Sequence, residues 1–237
     1  MPSRSVQKKP AAVTRKRRTQ AERSGNMRDR LLRATLESLA EDGYTGSTLS
    51  SIVRRAGVSR GAQVHHYPSK NALILDAAEY LMRRAYRVLG EVLLGIANEE
   101  DRLQALLQAT WKEIFDTRMY QAYFELLIAS QHDKELATAL KKLTRSASAT
   151  VAQPIRHYFE PSSGSSEDHQ ELFTMTTLLF GAMSASSHLA VSTDQTQRQM
   201  ELWCRIMASH IRARKGVSTP PPRPDTWEKT EPRRKPK

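Results

Sequence analysis

Apolar side chains recur every three or four residues along most of this chain, and the gaps between those runs mark its elements. Leu31, Leu32, Thr35, Leu36, Leu39 and Ala40 predict a first helix that begins near Thr19, strengthens at Arg28 and ends at Gly43. A short second helix is predicted after Thr48, a good N-cap, with Ile52, Val53 and Ala56 on one face. Gly57 falls where the chain must reverse and favours positive φ. Ser59 then caps a third helix, which Pro68 closes because proline neither donates nor fits inside a helix. Two short helices joined at Ala56-Gly57-Val58-Ser59 make a helix-turn-helix pattern, the second of which can enter a DNA major groove.

The pattern continues as helices. Ser69 can cap a long one through Leu73, Ile74, Ala77, Ala78, Leu81 and Leu89, stopping near Gly95 to Asn98. Leu103 to Thr117 and Arg118 to Gln131 are predicted as two more, the second rich in aromatics. Lys134 to Phe159 is longer and less apolar, with a kink expected at Pro154. Pro161 to Ser166 is a loop, and Glu167 to Val191 and Thr196 to Ile211 close the folded part. No convincing strand and no internal repeat is visible. The expected class is all-α with about nine helices. A disordered basic tail is expected at 1–18, a helix-turn-helix unit at 19–68, a second helical domain at 69–215 and a Pro-rich basic tail at 216–237.

Charge changes the picture mainly by its location. The formal net charge of the 237 residues is +12, but residues 1–18 hold seven Lys or Arg and no acids. Residues 212–237 hold nine basic and three acidic side chains, so removing seven and six from twelve leaves residues 19–211 at −1. The high pI belongs to the tails, which either add salt-dependent phosphate affinity or are simply solvated ends. The single Cys204 excludes an intramolecular disulfide and a multi-cysteine metal site. The basic start has no apolar run behind it and no stretch approaches the ~20 apolar residues of a membrane helix. A reducing compartment is expected, cytoplasmic if the protein is bacterial, with no membrane partner.

The first helix, then Thr48…Ile52…Ala56-Gly57-Val58-Ser59-Arg60-Gly61, then His66-Tyr67-Pro68-Ser69-Lys70…Ala72-Leu73, resembles the tetracycline-repressor-type (TetR) transcriptional regulators over about residues 27–75. The resemblance implies a homodimer whose last two helices pair into a four-helix bundle. It also implies a central cavity whose small-molecule occupant alters the spacing of the two DNA-binding units. Thr48 and Lys70 match positions that touch phosphates, and Arg60, Gly61, Ala62 and His65 match groove-facing positions of the recognition helix. Arg60 suits guanine O6 and N7. Val64 stands where the family commonly has a phosphate-binding tyrosine. Gln63 stands where a buried leucine is usual, and simple helical geometry groups it with Arg60 and Tyr67, so its direction stays open; Tyr67 is expected inward.

Other constellations add little. His65 and His66 are adjacent and cannot share one metal from one helix, and His132, His157, His169, His188 and His210 lack ligand spacing. No phosphate loop or nucleophile elbow is present, so no catalytic residue, metal or cofactor is expected and the chain is read as not an enzyme. Gln108, Trp111, Phe115, Tyr120, Tyr123 and Phe124 either line an effector pocket or form ordinary core. Gly181, Ala185, Trp203 and Met207 either form a dimer interface or pack within the monomer. The expected function is a ligand-responsive, sequence-specific regulator, a repressor binding double-stranded operator DNA as a dimer. Its rivals are a non-specific DNA-packaging protein driven by the basic tails and a helical small-molecule enzyme.

Overall fold

Glycine at position 43 breaks the first helix through its backbone, which adopts φ 70° and ψ 176°. Helical turns resume briefly, so α1 runs Gln20–Gly46 across that break. The computed structural model describes residues 20–162, 166–189 and 192–221. After α1 come α2 (Leu49–Ala56), α3 (Arg60–His66), α4 (Lys70–Gly95), α5 (Arg102–Thr110), α6 (Arg118–Ala129) and α7 (Lys134–Tyr158). The strand β1 (Phe159–Pro161), α8 (Ser166–Ser186), α9 (Thr193–His210) and the strand β2 (Ile211–Ala213) complete the order. The architecture is all-α, with an N-terminal helix-turn-helix unit followed by a larger helical part.

Two buried clusters organise these helices. The first joins Leu31, Leu36 and Leu39 of α1 and Ile52 of α2 to Leu73, Ile74, Ala77 and Leu81 of α4. It extends to Ala122 and Leu126 of α6 and to Leu136 of α7. Each fully buried leucine or isoleucine contributes about 1.5–3 kcal/mol relative to exposure. The second cluster gathers Val92 and Leu93 of α4, Leu106 and Leu107 of α5, Phe159, Phe180, Met200 and Met207. Helix α4 therefore belongs to both, its first half in one core and its last turns in the other. Packing runs through the expected boundary at residue 68, because the apolar stripe of α1 is also the seat of α6.

Three expectations are corrected. The helix expected to continue to Thr117 instead widens at Trp111–Phe115 into a π turn, with Asp116 N donating to Trp111 O at 2.8 Å. Thr117 then caps α6 by accepting from Tyr120 N. The absence of strands fails at the ends of α7 and α9, where Phe159–Pro161 pairs antiparallel with Ile211–Ala213. Three residues are too few to show a strand period. The pairing is tertiary, supported by Arg212 Nε donating to Glu160 Oε1 at 2.8 Å.

The third correction concerns the disordered tail expected from Gly216. Its first residues stay on the body: Arg102 donates to the carbonyl of Val217, and His157 Nε2 lies 2.8 Å from Thr219 O. The basic stretch 1–18 and the chain beyond 221 lie outside the described residues.

Candidate nucleic-acid interface

Local chemistry sets the two short helices at their angle. Thr48 is extended at the N-cap of α2, its Oγ1 accepting from Ser51 N at 3.1 Å while Thr48 N donates to Ser51 Oγ at 3.0 Å. This reciprocal capping box satisfies donors that a helix start leaves orphaned. At the other end Gly57 is left-handed (φ 60°, ψ 41°), and its N–H returns to Arg54 O at 3.1 Å. Arg30 reaches over from α1 and donates to Ala56 O at 2.6 Å and Gly57 O at 2.8 Å. A cation on the terminal carbonyls stabilises the end of α2. A Cβ on Gly57 would meet the end of that side chain at 2.9 Å and move it, so glycine is favoured there by φ first of all. Sequence periodicity does not reveal Arg30, because its partners are carbonyls 26 and 27 residues away.

Helix α3 is capped by Ser59, which accepts from Ala62 N at 3.2 Å. It presents Arg60, Gly61, Val64 and His65 to solvent, and Ala62 is half-buried. The direction of Gln63 is settled: it is 1% exposed, and its Nε2 donates to Tyr67 O. Gln63 is therefore withdrawn as a DNA contact, since its side chain closes the end of α3 from within. Val64 faces outward and is 56% exposed. Gly61 has open space where a Cβ would stand, so nothing in the fold itself demands glycine. Arg60 leans towards α2, its Nη1 3.4 Å from Ser50 Oγ.

Helix α3 is anchored from behind by a polar cluster. Tyr67, buried at the C-cap of α3, donates to Asp76 Oδ2 and accepts from Arg28 Nε at 3.1 Å. Burial, then the Asp76 carboxylate, push the Tyr67 hydroxyl well above its ordinary range. Lys70, expected on a phosphate, donates to Tyr44 O at 2.8 Å and sits 4.5 Å over the Tyr44 ring. Desolvation lowers its pKa. The turn after Gly43 is held from α6, with Glu125 Oε2 accepting from Tyr44 N at 3.0 Å. Arg118 of α6 pairs with Glu41, which also accepts from Arg55 of α2 at 2.6 Å.

Farther from α3, the aromatics singled out in sequence do come together, but on one another. Trp111 and Phe115 each meet the ring of Phe180 edge-on, at 5.5 and 5.4 Å, and Phe115 lies 4.6 Å from Tyr120. Tyr120 and Tyr123 are 5.6 Å apart, and burial pushes the Tyr120 hydroxyl up to about 12. Phe180 was not foreseen, since it lies 65 residues or more from its partners in sequence. Gln108 is exposed and Phe124 half-buried. The Thr110 hydroxyl at the head of the π turn is buried without a hydrogen-bond partner among the described residues.

The expected dimer residues divide. Met207 is fully buried in its own protomer, and Gly181 is covered by the Tyr120 hydroxyl, so neither is available to a second chain. Trp203 is half-buried and donates to Thr176 Oγ1 at 2.9 Å, and Ala185 is half-buried. The large apolar side chains left exposed on α8 and α9, among the described residues, are Met175, Leu178, Leu202 and Ile206. Among the described residues no helix is long and apolar enough to cross a membrane, and no group of three His, Cys, Asp or Glu side chains is placed to hold a metal.

Comparison with known proteins agrees with this geometry. Residues 31–82 match the family model for bacterial regulatory proteins of the tetR family. The HTH-type transcriptional regulator CymR of Pseudomonas putida is 34% identical over 127 residues, covering 54% of this chain and 62% of that protein. A TetR transcription regulator from Haloarcula marismortui shares the fold with a TM-score of 0.63 at 15% identity, covering 79% of this chain and all of that one. A TetR-family transcriptional regulator from a Rhodococcus species gives 0.59 at 20% identity, covering 76% of this chain and 98% of that one.

Proposed function

We propose, from the premise that this chain belongs to the TetR-type bacterial regulators, that it is a ligand-responsive repressor that binds a specific operator as a dimer. The observation that carries the reading is the outward face of α3. Gln63 and Tyr67 lock the helix to the body, while Gly61, Val64 and His65 stand exposed on its other side. A recognition helix needs this combination, because base edges are read only by side chains held in fixed register over the groove. Val64 suits the methyl group of thymine, and His65 a hydrogen-bonding base edge.

The dimer is supported by Met175 and Leu178, three residues apart on α8, and by Leu202 and Ile206, four apart on α9. Such an exposed stripe favours burial against a copy of itself. An effector site is supported by the π turn at Trp111–Phe115, by the preceding Thr110 hydroxyl, buried without a partner among the described residues, and by the aromatic rings beside it. Pairing of α6 with the α1–α2 corner through Glu125 and Arg118 offers a physical connection from that region to the DNA-binding helices. The effector acts by binding more tightly to the arrangement that fits DNA poorly. Catalysis has no role in this reading.

The test is a gel-shift titration of the purified protein against the DNA upstream of its own gene, beside a scrambled duplex at physiological salt. Preference for the upstream DNA supports a specific regulator. Equal affinity for both overturns it.

A further inference from the structure

Most cations around the helix-turn-helix are engaged inside the fold. Arg28 pairs with Asp76, Arg33 with Asp29, and Arg55 with Glu41 and Asp42. Arg30 is held by the carbonyls of Ala56 and Gly57, and Lys70 by Tyr44. Arg54 and Arg60 differ: both are exposed, and among the described residues neither has an acidic partner. They come from different helices yet line one cleft between α2 and α3, of about 210 Å³, whose other walls are Leu49, Ser50, Val53 and Gln63. Ser50 lies four residues before Arg54 and so on the same side of α2, and its hydroxyl accepts from Arg60.

The two arginines make the lining of this small cleft positive, and none of its lining residues is a carboxylate. A guanidinium is a planar fork that matches phosphate oxygens with paired donors. We infer that Arg54, Arg60 and Ser50 form a cradle for one backbone phosphate of DNA. Arg60 then positions the recognition helix instead of reading a guanine, and base recognition falls to Gly61, Ala62, Val64 and His65. The inference rests on the DNA-binding reading above and adds Ser50 and Arg54 to the interface.

The experiment measures binding of the wild type, Arg54→Ala, Arg54→Lys, Arg60→Ala and the double alanine variant across a salt series. The duplexes are the upstream DNA and its scrambled form, and thermal unfolding checks that each variant is folded. Each single alanine variant weakens binding to both duplexes by the same factor but keeps the slope of log K against log salt, because the remaining guanidinium still pairs with the phosphate. Arg54→Lys keeps the slope. The double variant lowers the slope by about one, because one phosphate is involved. An unchanged slope for the double variant overturns the cradle, as does a double loss of about two or a loss by Arg60→Ala confined to the upstream duplex. If the wild type binds both duplexes equally, the specific-regulator reading fails while the slopes still decide the cradle. If it binds neither, both are overturned.

Discussion

Arg28 and Asp76 face each other across the first core, Nε to Oδ2 at 2.8 Å and Nη2 to Oδ1 at 2.7 Å. This bidentate pair joins α1 to α4, and Tyr67 adds the end of α3 by bonding to both partners. Three elements of the helix-turn-helix unit thus meet at one charged cluster, with side chains only 33% and 14% exposed for Arg28 and Asp76.

Asp76→Asn leaves Arg28 half-buried without its counter-charge, and we expect a loss of about 2–3 kcal/mol, below the ~3–5 kcal/mol of a fully buried pair. Denaturant unfolding measures it. Burial pushes the Asp76 carboxyl up, but hydrogen bonds from Arg28 and Tyr67 prevail and hold it below its ordinary value. A depressed folded-state pKa gives stability that is present above about pH 4 and lost as pH falls through the folded value. The substitution should therefore remove part of the acid limb of the stability curve, and an unchanged limb would count against the pair.

Gly43 has a backbone conformation close to glycine-only territory, and a Cβ there would press on Glu125 Oε2 at 3.2 Å. Gly43→Ala should cost about 1–3 kcal/mol. Measured in a Glu125→Ala background, which already lacks the bond to Tyr44 N, Gly43→Ala should recover only the steric share, leaving the dihedral strain. Full recovery in thermal unfolding would place the whole cost in the contact.

At Gly61 stability and function should move in opposite directions. Glycine inside a helix is about 0.5–1 kcal/mol worse than alanine, and a Cβ there meets nothing in the protein. Gly61→Ala should raise the melting temperature and weaken binding to the upstream duplex. A variant that is more stable and binds equally well would remove Gly61 from the interface.

For the dimer, Leu178→Glu and Ile206→Glu should shift sedimentation towards the monomer with helical content retained, since both side chains lie outside the protomer core. Met207→Ala should instead lower stability by about 2–5 kcal/mol through a cavity in the second core. A monomeric species from Met207→Ala with unchanged stability would reverse this division of roles.

Sequence by itself determined the local features. Thr48 and Ser59 as caps, Gly57 in the left-handed region and the succession of helices all follow from short-range rules, because capping, φ and helical period act within a few residues, while the inward direction of Tyr67 follows from the family resemblance. The family resemblance was legible for the same reason, its motif lying almost wholly within one short run.

Tertiary structure decided what depends on distant partners. Gln63 turns inward because Tyr67 O accepts from its amide, and Met207 and Gly181 are covered by their own chain. The strand pair needs residues about 50 apart, and Arg30 and Asp76 find partners that no periodicity foretells. A helical stripe states which residues avoid water, but the neighbour that excludes the water is chosen only when the whole chain has folded.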